Sequence, residues 1–329
     1  RNTRTACVTG NFSFAMKFIL CLCPKRFKCD EDTVIFCFSP PSRYLENMYR
    51  RILAAVNEHL NSEVAARYAL NFALRTNARI CFCSIAEKGL SDRSFRSAEA
   101  AIKRLSIQAK KMNVNSDCVI ETGDAVSQIR KIVAGEGVDL VFAATRREDV
   151  KRRFYARTTA RRISLGLPCS VALVRVVHMG RVHPRTILVP LKAPMDHIAE
   201  RAAFTAVMAE AFDAHIHLFH TTKPLTQFFH GERHLTPLEW ETRLPEDIAA
   251  YTRELGRRNL KFDKKLVSGP AGRSITIEAA AKKHDLIIMG ASQRSLFSSL
   301  LRGNPVERVL SETTCNLIIF KPAHDDIKP

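Results

Sequence analysis

No uninterrupted apolar run in the 329 residues approaches the roughly 20 that a bilayer-spanning helix needs, so no transmembrane segment is expected. The ten cysteines never take the paired C-x2-C spacing of common zinc sites. Five of them (Cys7, Cys21, Cys23, Cys29 and Cys37) crowd the first 47 residues, while Cys81, Cys83, Cys169 and Cys315 lie in or beside apolar runs. Buried free thiols in a reducing cytoplasm explain that distribution better than a disulfide framework, so a cytoplasmic location is expected. Phe12 to Cys23 has the length of a signal core, but Lys17 interrupts it and no small-residue cleavage site follows. No G-x-S-x-G, H-E-x-x-H or G-x-G-x-x-G stands where its chemistry would require. With no catalytic nucleophile or acid–base pair in view, a non-enzymatic role is expected. Acidic residues are also short, 33 against 51 basic, for a net charge of +18. That excess suits anionic partners, and serves solubility equally well.

What is present begins with bulk: 46% hydrophobic residues over this length can fill two cores. Residues 1–47 mix apolar runs, cysteines and Pro40-Pro41 without steady periodicity, and are expected to be a non-native or disordered leader preceding a true start at Met48. From there strands and helices alternate. Ile52–Val56, Ile80–Ile85, Ser116–Glu121, Leu140–Ala144 and Ser170–Val177 read as strands; Val64–Arg75, Ser97–Met112, Val126–Ala134 and Thr158–Leu165 read as helices, the first with Ser62 as its N-cap. Such alternation predicts a parallel sheet covered on both faces.

After a linker over 178–184 the pattern repeats. Gly269 answers Gly123, Asp285 answers Asp139 and Cys315 answers Cys169, each 146 residues on, a gapless register that marks a tandem duplication. The fold class expected is therefore α/β, with two tandem doubly wound five-stranded parallel sheets over 48–177 and 185–322 and a tail over 323–329. The second copy departs mainly at Thr221–Pro245, a long loop containing Trp240.

The stretch from Asp285 to Lys321 is the most informative. Leu286–Met289 is a buried strand, Gly290-Ala291-Ser292 a small-residue turn, Asn304 and Pro305 an N-cap and first helical residue, and Leu317–Phe320 a last buried strand. This resembles the universal stress protein family, whose hallmark is a buried strand, G-x2-G-x9-G-(S/T), a helix and a strand introduced by a Cys-Pro-like pair. Gly290, Gln293, Gly303 and Asn304 stand at the four motif positions, so two match, and Cys315 fits.

The resemblance implies a stress-response or regulatory protein with ATP or a related nucleotide in the second half. It places Pro190, Lys192, Gly290, Ala291, Ser292, Gly303 and Asn304 around the ligand, with Lys192 where the family carries an acid. The first half departs further, with Ala144, Arg147, Arg157, Thr158 and Asn57 at the corresponding positions. The family also implies that the last strands pair, here making the two halves an intramolecular pseudo-dimer. Two alternatives stay open: a nucleotide-independent interaction module linked to a membrane transporter, and an anion or nucleic-acid binder using the basic run Arg146–Arg162. His215 and His217 share one side of a strand, but with no third ligand beside them in sequence no metal is expected.

Overall fold

Short runs of Val, Ile, Leu, Ala and Phe form the central strands, and almost every residue in them is buried because helices cover both sides. The structure, a computed structural model, describes residues 48–145, 158–222, 244–291 and 305–323. The expectations placed on residues 1–47, on the basic run from Arg146 to Arg157, and on the loop between residues 223 and 243 lie outside them.

The first half runs β1 (Arg51–Ala55), α1 (Leu60–Thr76), β2 (Arg79–Ala86), α2 (Asp92–Lys111), β3 (Ser116–Thr122), α3 (Ala125–Glu136), β4 (Leu140–Ala144), α4 (Thr159–Gly166) and β5 (Ser170–Arg175). The second runs β6 (Thr186–Leu191), α5 (Ile198–Phe212), β7 (His215–Thr222), α6 (Glu246–Gly256), β8 (Phe262–Ser268), α7 (Ala271–Ala281), β9 (Leu286–Gly290), α8 (Pro305–Glu312) and β10 (Asn316–Lys321). All ten strands form one sheet in the order β3-β2-β1-β4-β5-β10-β9-β6-β7-β8. Within each half every pairing is parallel, and the halves meet where β5 and β10 run antiparallel. The expected doubly wound architecture is present twice, joined last strand to last strand.

The repeated Asp-Leu pair has a structural cause. Asp139, just before β4, accepts hydrogen bonds from the amides of Arg50 and Arg51 at 2.7 and 2.9 Å. Asp285, just before β9, accepts from those of Arg185 and Thr186 at 3.0 and 3.2 Å. Each carboxylate staples the start of the half's first strand to the strand beside it. The glycines that precede α3 and α7 answer one another as well: Gly123 and Gly269 both take positive φ, 132° and 147°, in the strand-to-helix turn.

Alternate residues of each strand feed two apolar cores, one per face. Ile52, Ala54, Phe142 and Phe320 pack under α1, α2, α5 and α6, whereas Leu53, Val141, Leu173 and Ile319 pack under α3, α4, α7 and α8. Both cores run uninterrupted across the seam between the halves. On the first face Phe204 stacks on Phe320 (centroids 4.1 Å apart) and reaches Phe72 of α1 at 5.3 Å. Beyond them, Arg75 of α1 and Glu210 of α5 form an ion pair at 2.7 Å.

Ser62 does not cap α1. The helix starts two residues earlier, and the buried Ser62 hydroxyl accepts from the Asn57 amide and donates to the His59 carbonyl, bracing the turn after β1 from inside the helix. Among the described residues, Cys81, Cys83, Cys118, Cys169 and Cys315 are free thiols. Burial pushes Cys83 up to about 12, which leaves it unreactive. No described helix is long and apolar enough to cross a membrane.

Candidate functional site

In open α/β sheets ligands settle beyond the carboxyl ends of the strands, where the strand order reverses. In the second half that point lies between β6 and β9. Their ladder runs only from Ile187 opposite Leu286 to Leu188 opposite Ile287. Two residues later stands Pro190, which has no N–H to add to a ladder. The strands part there, and a cavity of about 370 Å³ opens between them, within the size range of small-molecule sites.

Its lining is apolar at Val189, Phe219, Ile288 and Met289 and polar at Lys192, Asp196, Arg201 and Thr221. The first residues of α7 (Ala271) and α8 (Pro305, Val306) also line it, so two helix amino ends face inward, where their dipoles favour negative charge. Of the seven residues expected at a ligand, the cavity brings together Pro190, Lys192 and Gly290, and Ala291 follows directly, itself buried. Ser292, Gly303 and Asn304 lie outside the described residues.

Gly290 also has a structural role of its own. A Cβ there would press into Nη1 of Arg201, so any side chain at this position would have to displace that guanidinium. Arg201, on α5, is buried (6% exposed) and its donors are committed. Nε bonds the Asp196 carbonyl at 2.7 Å, Nη2 bonds the Ala291 carbonyl at 3.0 Å, and Nη1 reaches the Phe320 carbonyl at 3.4 Å. The Asp196 carboxylate pairs with Nη2 and balances the charge. Arg201 thus ties off the carboxyl ends of β9 and β10 beneath the cavity.

Sequence reasoning missed Asp196 and Arg201. Lys192 does replace the acid usual directly after the first strand, but Asp196 four residues later puts a carboxylate at the cavity all the same. The turn carrying it is fastened from α6, where Asp247 accepts from the Met195 amide at 2.8 Å. One signal could have found Arg201. α1 and α5 end in left-handed caps at Asn77 and Asp213, and twelve residues before each stand Ala65 and Arg201. The first half therefore has alanine at both positions, Ala65 and Ala144, where the second half has arginine and glycine.

Two of the first half's motif residues, Asn57 and Thr158, are engaged in folding. The Asn57 side chain accepts from the His59 amide at 3.0 Å, an Asx turn, and the Thr158 hydroxyl caps α4 by accepting from Arg161 N at 3.2 Å. Of the basic run, the described members are Arg161, which is buried, and Arg162, whose Nη2 pairs with Asp124 at 3.1 Å.

Comparison with known proteins agrees with this architecture. The family model described as "Universal stress protein family" matches residues 48–175 and again 184–321. Among solved structures, a universal stress protein from Archaeoglobus fulgidus is similar in fold (TM-score 0.61, 14% identity, 85% of this chain and 100% of that one). The functionally unknown protein PA1789 from Pseudomonas aeruginosa is too (TM-score 0.59, 16% identity, 85% and 95%). No curated protein sequence matches the chain. With its two halves each matched in full and joined through their last strands, the chain belongs to the universal stress protein family.

Proposed function

We propose that this is a non-enzymatic binding protein of stress response or regulation, acting in the cytoplasm, whose second half holds ATP or a related nucleotide. The observation that carries the reading is the cavity at the parting of β6 and β9. Its apolar lining suits a base, while Lys192 and the amino ends of α7 and α8 suit phosphate groups. The test is equilibrium binding of labelled ATP to the full chain. Saturable binding at one site is expected, lost on filling the cavity with Val306→Trp. Asp196→Asn should strengthen it, because it removes a negative charge from the cavity lining that repels an anion. Affinity unchanged by Val306→Trp would place the ligand elsewhere and sink the reading.

One observation favours a second reading. Arg201 accounts for the absent Cβ at Gly290 without any ligand, as expected if the turn serves folding alone. The protein would then be a nucleotide-independent interaction module, for instance one working with a membrane transporter. Absence of ATP binding in the same experiment selects it.

A further inference from the structure

At the opposite end of the sheet from the cavity, the chain gathers three histidines and an aspartate. His215 and His217 sit two residues apart on β7, so their side chains leave the same face, and their ring centroids are 4.8 Å apart. Strand pairing supplies the ligand that the local sequence lacks: β8 places Asp263 in register opposite His217. Asp263 Oδ2 lies 3.0 Å from His215 Nε2 and 3.4 Å from His217 Nδ1. One donor atom from each of the three residues falls within 4.8 Å of the other two. Ligands held about 2 Å from a tetrahedral ion stand about 3.3 Å apart, so this set needs little adjustment to close on one.

A second, independent feature points to the same place. His284, in the turn between α7 and β9, packs its ring 4.7 Å from that of His217 and is 3% exposed. Both of its ring nitrogens lack a hydrogen-bond partner. Buried imidazole nitrogens normally find one, and an unpartnered nitrogen beside the His217 ring is one that a bound cation would satisfy. Nearby charges do not fill that need: Glu278 of α7, which faces this cluster, is engaged with Lys265 at 2.8 Å.

We propose that His215, His217 and Asp263 form a site for a divalent transition-metal ion, zinc being the ion to test, with His284 available as a fourth donor. Two or three imidazoles and one carboxylate suit zinc, nickel and copper, and exclude the hard cations, which prefer all-oxygen sets. The site is remote from the cavity and does not depend on nucleotide binding.

The test uses the full chain freed of metal by chelation. Titration with Co²⁺ should develop a visible tetrahedral spectrum at one ion per chain, and Zn²⁺ should displace it. His217→Ala and Asp263→Asn should each weaken Zn²⁺ binding on the order of 10-fold or more, while His59→Ala, at an exposed site elsewhere, should leave it unchanged. Should His217→Ala unfold the protein, His217→Cys supplies the deciding measurement. A thiolate there should retain the ion and add a sulfur-to-Co²⁺ charge-transfer band. Stoichiometric binding undiminished in the His215→Ala, His217→Ala double variant would overturn the proposal, as would the absence of any Co²⁺ spectrum.

Discussion

Leu173 and Ile319 stand directly opposite each other in the antiparallel pairing of β5 with β10, and they are also each other's counterparts in the duplication, 146 residues apart. A residue facing its own counterpart lies on a two-fold axis, so the seam between the halves is isologous, like that of a symmetric dimer. The neighbouring pairs obey the same operation: Ala172 faces Phe320, and their counterparts Ile318 and Val174 face each other. The symmetry extends to the strand ends. Asn316 accepts a hydrogen bond from the Val177 amide at 2.8 Å, and its counterpart Ser170 accepts one from the Ala323 amide, counterpart of Val177, at 2.9 Å.

The two halves of that contact are unequal, and Asn316 carries more. Fully buried, it also accepts from the His178 amide at 2.9 Å and donates to the Tyr68 hydroxyl at 2.9 Å and the Arg181 carbonyl at 3.2 Å. It therefore fastens the segment between the halves to α1 of the first. Asn316→Ala strands two amide donors at a cost of about 1–3 kcal/mol each when they stay dry. A loss on the order of 3 kcal/mol is expected from urea unfolding, with an unchanged dependence on denaturant. A loss below about 1 kcal/mol would mean that water replaces the side chain and the segment is held by other contacts.

Gly290 and Arg201 should behave as one unit. Gly290→Ala puts a methyl into the guanidinium and should cost about 1–3 kcal/mol, as overpacking does. Arg201→Ala removes the bonds to the Ala291 and Phe320 carbonyls and is destabilising in its own right. Once the arginine is gone the methyl has room. The double variant should therefore be less impaired than the two single losses added, by about 1 kcal/mol or more. Simple additivity would show that the close approach is relieved elsewhere and that Gly290 needs another explanation.

Much of the fold was legible because the strands are uninterrupted apolar runs and the second copy repeats the first in fixed register. The pairing of last strands was implied by the family resemblance, and the apolar runs Val171–Val176 and Leu317–Phe320, poor as exposed edges, agree with it. The start of α2 was placed too late. Its first turn carries Asp92, Arg93 and Ser94 and is fixed by the Ser91 cap, whereas periodicity begins to show only at the buried Ala98. The site was half legible. Gly290 was recognised as a motif position, but the buried arginine beside it is held by carbonyls 90 and 119 residues away from it in sequence. Asp263 likewise joins the histidines only through strand pairing, which no local spacing reveals.

Glu63 gives the fold a pH dependence whose sign can be stated. This buried carboxylate on α1 accepts from Arg104 Nη2 at 2.7 Å and from Arg67 at 3.0 Å. Those bonds, Arg104's foremost, hold it below the ordinary glutamate range in spite of its burial. Unfolded chains then bind more protons than folded ones between the two values, so the contribution is complete above the ordinary range and fades as pH falls through the lowered one. Glu63→Gln should cost about 1.5–3 kcal/mol at pH 7, the worth of hydrogen bonds to a charged group. It should also flatten the acid limb of stability against pH. An acid limb as steep as before would assign the dependence to other carboxylates.

The seam is also an aromatic one, and that determines how the halves unfold. Phe204 of α5 stacks on Phe320 of its own half, and across the seam it meets Phe72 of α1 at 5.3 Å and Phe142 of β4 at 6.1 Å. Phe72 in turn touches Tyr49 at 5.5 Å, just before β1. Each such pair adds about 0.5–1.5 kcal/mol beyond the apolar area it buries. Phe204→Ala opens a cavity shared by both halves and should cost about 3–5 kcal/mol. If the common core makes one cooperative unit, the loss appears everywhere at once. Amide hydrogen exchange should then quicken in β1 and β4 of the first half by the same factor as in β6 and β9 of the second. Protection in β1 and β4 left as it was, with β6 and β9 alone weakened, would mean that the halves open independently and that the seam joins two separately stable domains.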